Sequence, residues 1–250
     1  MRRISVIILV FSLYSFVGID HSNNNECMVA LKGLYSKLDF KKSQMSDKIF
    51  YLNYTINTTL KQSLGGATNR SKAEVIANKS MTCFKSKEMN VYEDKKKSVS
   101  IVSSRKLIFI NDYIGDKSKS GYLKYFSFMK DSLFYYSSVS FCGEDKIASG
   151  EACNRIQIKV NDNKVKMFNV RTIDFYFNKT DSVFKQINIK YNEQNNFSFL
   201  EVIFNKLDYN HHDSSELNDP LTEIFDSNNV LKPFYREYKL IDNRKKNKKS

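Results

Sequence analysis

Phe50-Tyr51-Leu52-Asn53-Tyr54-Thr55-Ile56-Asn57-Thr58-Thr59-Leu60 decides how the rest of this chain is read. Phe50, Leu52, Tyr54, Ile56 and Leu60 fall on one side of an extended backbone; Tyr51, Asn53, Thr55, Asn57 and Thr59 fall on the other. Side chains of a strand point alternately to its two faces, so this stretch predicts a half-buried strand. A helix would scatter the same apolar residues around its circumference. Gly65-Gly66 supplies the turn that follows.

The alternation recurs downstream. Ser71 to Phe84 reads as the next strand, with Ala73, Val75, Ala77 and Met81 on one face. Met89 to Tyr92, Val99 to Val102 and Leu107 to Ile110 are short strands parted by the polar connectors Glu93 to Lys97 and Ser103 to Lys106. Tyr136 to Phe141, Arg155 to Val160, Lys164 to Phe168, Thr172 to Phe177, Val183 to Tyr191 and Phe197 to Phe204 continue the series, and Tyr235 to Ile241 closes it. Asn-rich turns such as Asn161-Asp162-Asn163 punctuate these strands, Asn replacing the scarce Gly because it tolerates left-handed backbone. Short strands at regular spacing predict an antiparallel meander.

Three segments follow a helical period instead. Met28, Leu31, Leu34, Tyr35 and Leu38 make Cys27 to Leu38 a short amphipathic helix. Leu123, Phe126, Met129, Leu133 and Phe134 predict a helix over Tyr122 to Tyr135. Asp219-Pro220-Leu221-Thr222-Glu223 has Asp at the N-cap and Pro at the first helical position. The expected fold class is mainly β with a few short helices (α+β), in one domain over residues 27–242. A linker at 20–26 precedes it and a basic flexible tail at 243–250 follows.

Arg2-Arg3 and the apolar run Ile4 to Phe11, fading to Ile19, read as a secretory signal peptide over residues 1–19. Cleavage after Gly18 or after Ser15 and retention as an anchor are the open alternatives. The expected location is outside the cytoplasm, in the periplasm or cell envelope. Export also changes the meaning of the net charge of +13. Arg2 and Arg3 belong to the leader and five more cations crowd into Arg244 to Lys249, so over half of the excess lies at the ends. No nucleic-acid partner is expected, and contact with an anionic membrane surface is the secondary reading. Gly (8) and Pro (2) are too few for a collagen-like or disordered chain, while 41% hydrophobic residues suffice for a core.

Cys27, Cys83, Cys142 and Cys153 make an even count in an oxidising compartment. Cys142 with Cys153, and Cys27 with Cys83, is the preferred pairing among three possible connectivities. The spacings hold no C-x-x-C pair, so no metal is expected, and His211-His212 beside Asp208 and Asp213 is a weak candidate. No H-E-x-x-H, G-x-S-x-G, P-loop or G-x-G-x-x-G pattern occurs. The expectation is a protein that is not an enzyme and uses no cofactor. Sequons stand at Asn53, Asn57, Asn69, Asn78, Asn178 and Asn196, relevant only in a eukaryotic secretory route.

The order of parts carries a family resemblance. An exported chain opens with a short helix and a long amphipathic strand, followed by paired strands around Met89-Asn90-Val91-Tyr92-Glu93-Asp94. A central helix, a strand meander and a short C-terminal helix complete it. Over Cys27 to Asp242 this resembles the LolA/LolB-like fold of outer-membrane lipoprotein carriers, specifically the periplasmic proteins of Bacteroidetes that share it. The resemblance implies a single incomplete antiparallel β-barrel wrapped around helices, enclosing an apolar cavity for acyl chains of lipid or lipoprotein. Phe50, Leu52, Tyr54, Ile56, Ile173, Phe175 and Phe177 are the candidate lipid-binding residues, on apolar faces that equally suit plain core packing. The expected function is a monomeric, exported binding protein. The alternative is a structural or interaction protein of the cell envelope with a filled core, engaging other envelope proteins.

Overall fold

The alternating stretch forms strand β1, Ile49–Leu60, and it joins the two halves of a twelve-stranded sheet. The computed structural model describes residues 21–37, 48–112, 132–180, 183–215 and 217–244. The expected signal peptide, most of the expected central helix and residues 245–250 of the basic tail lie outside these. One half is a meander of β1 with β2 (Thr68–Ala77), β3 (Met81–Ser86), β4 (Met89–Asp94), β5 (Lys97–Val102) and β6 (Leu107–Asp112). The other runs through β7 (Ser137–Lys146), β8 (Ala152–Val160), β9 (Val170–Phe177), β10 (Phe184–Tyr191) and β11 (Phe197–His211). β1 and β11 pair antiparallel along their lengths, with Leu52 opposite Leu207, Tyr54 opposite Phe204 and Ile56 opposite Val202. β12 (Lys239–Asp242) adds to β6 in parallel, and the sheet stays open between its edges β7 and β12.

Polar side chains close the turns, as the composition requires. The Asp94 carboxylate accepts from the Lys96 and Lys97 amides at 2.6 and 2.8 Å, shaping the β4–β5 hairpin. Asn78 does the same for Ser80 and Met81, and Asn192 for Gln194 and Asn195. Gly65 and Gly66, at φ 92° and 61°, occupy the left-handed region after β1.

Several expectations change here. The Asn78 turn divides the expected strand Ser71 to Phe84 into β2 and β3. Ala73 and Val75 therefore face one core while Met81 faces another. Lys164 to Phe168 is helical rather than extended: a 3-10 turn at Asp162–Lys164 runs into a helical turn at Val165–Phe168, ended by Asn169 at φ 56°. Helix α1 (His21–Lys37) begins before Cys27 and takes in the polar residues expected as a linker. Of the expected strand Tyr235 to Ile241 only the end is extended, since Pro233–Tyr235 forms a 3-10 turn. The expected helix over Tyr122 to Tyr135 is seen only as a last helical turn at 132–135.

Two apolar cores lie on opposite faces of the sheet and share β1 and β2. The first holds Phe50, Leu52 and Tyr54 of β1, Ala73 and Val75 of β2, and the alternating residues Ile173, Phe175 and Phe177 of β9. Leu31 and Leu34 of α1, with Leu133 and Phe134, cover it. The second holds Ile76, Cys83, Tyr92, Val99, Ile101, Ile108 and Ile110, covered by Leu217 to Tyr238 with Ile224 at its centre. Strand period forces this split, because Val75 and Ile76 are neighbours in sequence and must point opposite ways.

The same rule overturns the expected disulfides. Cys27 of α1 is bonded to Cys142 of β7, and Cys83 and Cys153 are buried thiols. Cys142 stands opposite Ile156, on the first-core face, where α1 lies. Cys153 is an odd number of residues from Ile156 and points to the other face. Cys83 belongs to the second core, out of reach of Cys27.

Asp219 anchors the cover of the second core. Its carboxylate accepts from the Leu221 amide at 2.8 Å and pairs with Lys97 Nζ at 2.6 Å. Burial raises its pKa, but the Lys97 ammonium and the Leu221 amide outweigh that and hold it below the ordinary carboxylate range. A depressed folded pKa contributes stability that is present above the unfolded value, about 4, and lost as pH falls through the folded one.

Three outcomes are expected. Phe175→Ala, at a fully buried ring between Phe134 and Phe184, costs about 3–5 kcal/mol by urea denaturation. Cys27→Ser opens a link spanning a separation of 115 residues and costs about 2–4 kcal/mol under oxidising conditions, with no effect under reducing ones. Asp219→Asn keeps the turn acceptor and flattens the loss of stability between about pH 5 and pH 2, read as the urea midpoint against pH.

Candidate functional site

The first-core face continues past its packed region. Strand pairing sets Leu52, Val75, Phe84, Val91, Ser100, Phe109 and Ile241 in one row across seven strands. Leu52 and Val75 are buried, while Phe84, Val91, Phe109 and Ile241 are only half-buried. The next row places Met89, Val102 and Leu107 beside them, also half-buried. An apolar floor thus runs from a packed core on to partly open side chains over β3–β6. Glu93 sits on the same face next to Val91, and burial, reinforced by the Asp94 carboxylate, raises its pKa. A carboxyl so placed is easier to neutralise than one in water.

The candidate lipid-binding residues occupy the packed end of this face. Phe50, Leu52, Tyr54, Ile173, Phe175 and Phe177 are all buried in the first core, and Ile56 packs against its edge. A chain of rings crosses it: Phe134 to Phe175 at 6.2 Å, Phe175 to Phe184 at 6.2 Å, Phe184 to Phe204 at 5.9 Å. The Tyr209 ring lies 5.5 Å from Phe50, and burial pushes its phenol up to about 12. The structure thus brings the seven together as the inner part of one surface. Sequence reading missed the outer part, Phe84, Met89, Val91, Val102, Leu107 and Phe109. Its signal was the continuous apolar run Leu107-Ile108-Phe109-Ile110, since a strand apolar at every position has both faces occupied.

The opposite face of β7–β11 and β1 is polar and cross-linked by side-chain contacts, with the buried Thr172 hydroxyl left without a hydrogen-bond partner among the described residues. Arg155 bridges Asp174 at 2.8 Å and Asp145 at 2.9 Å, and the Gln157 amide donates to Asp174 at 2.7 Å. The Lys146 amide and then Arg155 hold the Asp145 carboxyl below its usual range. Glu201 accepts from Asn57 at 2.6 Å and from Gln186 at 2.8 Å across three strands. These contacts tie neighbouring strands together in register. Farther along, Arg70, Lys72, Lys85 and Lys87 surround an open groove of about 540 Å³ with one carboxylate, Glu74.

Among the described residues no cluster of three His, Cys, Asp or Glu side chains converges as a metal site. His211 stacks on Tyr51 at 4.7 Å and lies 3.6 Å from Asp208, which explains it as a packing residue. The Cys153 thiol donates to the Asp145 carbonyl, and burial, with the Asp145 carboxylate, pushes its pKa up, away from a reactive thiolate. No helix among the described residues is long and apolar enough to cross a membrane.

No protein-family model matches the chain, and no curated protein matches its sequence. Solved structures resemble it in shape. A conserved uncharacterised protein of Thermus thermophilus aligns at a TM-score of 0.40 and 6% identity, covering 83% of this chain and 98% of the other. A DUF1329 family protein of Desulfovibrio piger aligns at 0.34 and 8%, covering 75% and 95%. A LolA superfamily protein of Nitrosomonas europaea aligns at 0.29 and 7%, covering 74% and 97%.

Proposed function

We propose that this protein is an exported, non-enzymatic binding protein of the cell envelope that holds acyl chains of lipid or lipoprotein against the first-core face. The observation that carries the reading is the row from Leu52 to Ile241, where one face of the sheet stays mainly apolar, Ser100 excepted, while its packing partners among the described residues thin out. A soluble sheet ordinarily turns a polar face to water, as the opposite face of β7–β11 does here. Phe84, Val91 and Phe109 would touch the chain, and Phe50, Leu52, Tyr54, Ile56, Ile173, Phe175 and Phe177 would form its closed end. Glu93 at the margin suits the polar end of a ligand. The apolar run at residues 4–19, read as a leader, supports a periplasmic location, and the proposed working form is a monomer. A filled-core interaction protein is the second reading, favoured by the tight burial of Phe50, Ile173 and Phe175.

The full chain should enhance the fluorescence of cis-parinaric acid, a linear polyene acid, with saturation. Phe109→Lys, at a half-buried position, should weaken that binding about tenfold or more, since burying an aromatic ring is worth about 1.5–3 kcal/mol. Its thermal midpoint should shift only a few degrees. Unchanged affinity in Phe109→Lys, or no binding by the native chain, would support the filled-core reading.

A further inference from the structure

β2 is longer than the strand beside it. β3 pairs only with Ala73 to Ala77, and the ladder stops where Ser86 stands opposite Ala73. On its other side β2 is paired throughout this region, with Lys72 opposite Thr55 and Thr68 opposite Thr59. Thr68 to Lys72 is thus strand backbone held along one edge and, among the described residues, joined by no strand along the other. Thr68, Asn69, Arg70 and Lys72 are exposed. The step is built. Ser86 Oγ accepts from the Met89 amide at 3.1 Å and donates to the Met89 carbonyl at 3.0 Å, so the chain turns into β4 instead of running on beside Lys72.

The groove of about 540 Å³ lies in this step, and its charge has one sign. Lys85 stands opposite Glu74 across the β2–β3 pair, which leaves Arg70, Lys72 and Lys87 as the excess of the lining. Glu88, next in the turn, does not line the groove. Glu201, in the row of Arg70, is two strands away and accepts from Asn57 at 2.6 Å and from Gln186 at 2.8 Å. Side-chain parity sets Arg70 and Lys72 on one face of the edge, and Asn69 and Ser71 on the other.

We propose that an acidic, extended peptide segment of a partner protein adds to this edge, pairing its backbone with Thr68 to Lys72 along the line β3 would take past Ser86. An open edge carries unpaired N–H and C=O groups that template a further strand, and the flanking side chains choose which. A strand with an acid at every second residue meets Arg70 and Lys72 on one face and small polar residues on the other. The same cations turn away a second copy of this chain, whose edge would bring Arg70 and Lys72 against their like. Nor does the rest of the chain supply an acidic strand: residues 38–47 hold two Asp against two Lys, and 113–131 two Asp against four Lys. The groove lining has no aromatic ring for a base to stack on, and the edge has no apolar side chain for a membrane. Strand addition does not depend on acyl-chain binding. Phe109→Lys, on β6, should take the peptide normally, so the two ideas fail separately.

Fluorescence anisotropy of the full chain with a labelled peptide of about ten residues, alternating Glu with Thr and Val, tests this. Saturable binding is expected, weakening with added salt, and the same peptide with Lys in place of Glu should bind about tenfold more weakly. Arg70→Glu combined with Lys72→Glu should reverse that preference. Lys166→Glu combined with Lys190→Glu, an equal charge change at exposed sites elsewhere, should leave it as it is. Circular dichroism melts confirm that every variant folds. Two further peptides separate strand addition from plain charge attraction. Methylating every Glu amide, or instead every intervening amide, removes donors from opposite edges of the bound strand, so one peptide should bind about tenfold more weakly than the other. The proposal is overturned by no binding, by an unchanged preference in the Arg70→Glu and Lys72→Glu variant, or by equal affinities of the two methylated peptides. Tighter binding to anionic vesicles or to a single-stranded oligonucleotide than to the acidic peptide would also overturn it.

Discussion

Everything in this structure depends on the pairing of β1 with β11. Each meander is made of neighbours in sequence and forms by local hairpins, but the two meet only where residues near 55 find residues near 203. That closure costs loop entropy before any contact rewards it. The seam is reinforced on both faces. On one, Tyr54 meets Phe204 and Ile56 meets Val202 within the first core. On the other, Asn57 donates to Glu201 at 2.6 Å, and the Asn205 amide reaches Asn53 and Thr55 at 2.9 and 3.1 Å. A slip of one residue would turn Asn57 inward and Tyr54 outward, so the polar ladder and the apolar face select the same register.

The seam also explains why two cores are needed. Among the described residues, α1 and the turn at 132–135 cover one half from one side. The segment Leu217 to Tyr238 covers the other half from the opposite side. The part of the first-core face over β3–β6 has a mainly apolar floor of half-buried side chains, with less cover from the described residues.

Much of the sheet was legible because strand period is local. Phe50 to Leu60, Met89 to Tyr92, Thr172 to Phe177 and Val183 to Tyr191 all fall on observed strands, since alternation needs no knowledge of the partner. Pairing is not local. Nothing in the spacing of Ala73, Val75, Ala77 and Met81 reveals that an Asn side chain at position 78 closes a hairpin between them. Lys164 to Phe168 contains Val165, Met167 and Phe168, which fit a strand as well as a helical turn, and the left-handed Asn169 decides for the turn. The cysteine pairing was missed because sequence distance says little about sheet face. The inner candidate residues were visible as alternating faces, whereas the outer ones were hidden in strands apolar on both sides.

The sulfur arrangement bears on how such a chain survives oxidation. The Cys27–Cys142 bond joins an N-terminal helix to an edge strand formed much later in the chain, so the emerging polypeptide passes through a stage with several reactive thiols and no correct partner. Cys83 and Cys153 are the wrong partners available. Folding places each in a buried site on the far face from α1, at 1% exposure, and at Cys153 burial disfavours the thiolate that attacks a disulfide. Sheet parity thus acts as a sorting device: once the strands are in register, the thiols that would scramble the bond are buried on the wrong face and out of reach.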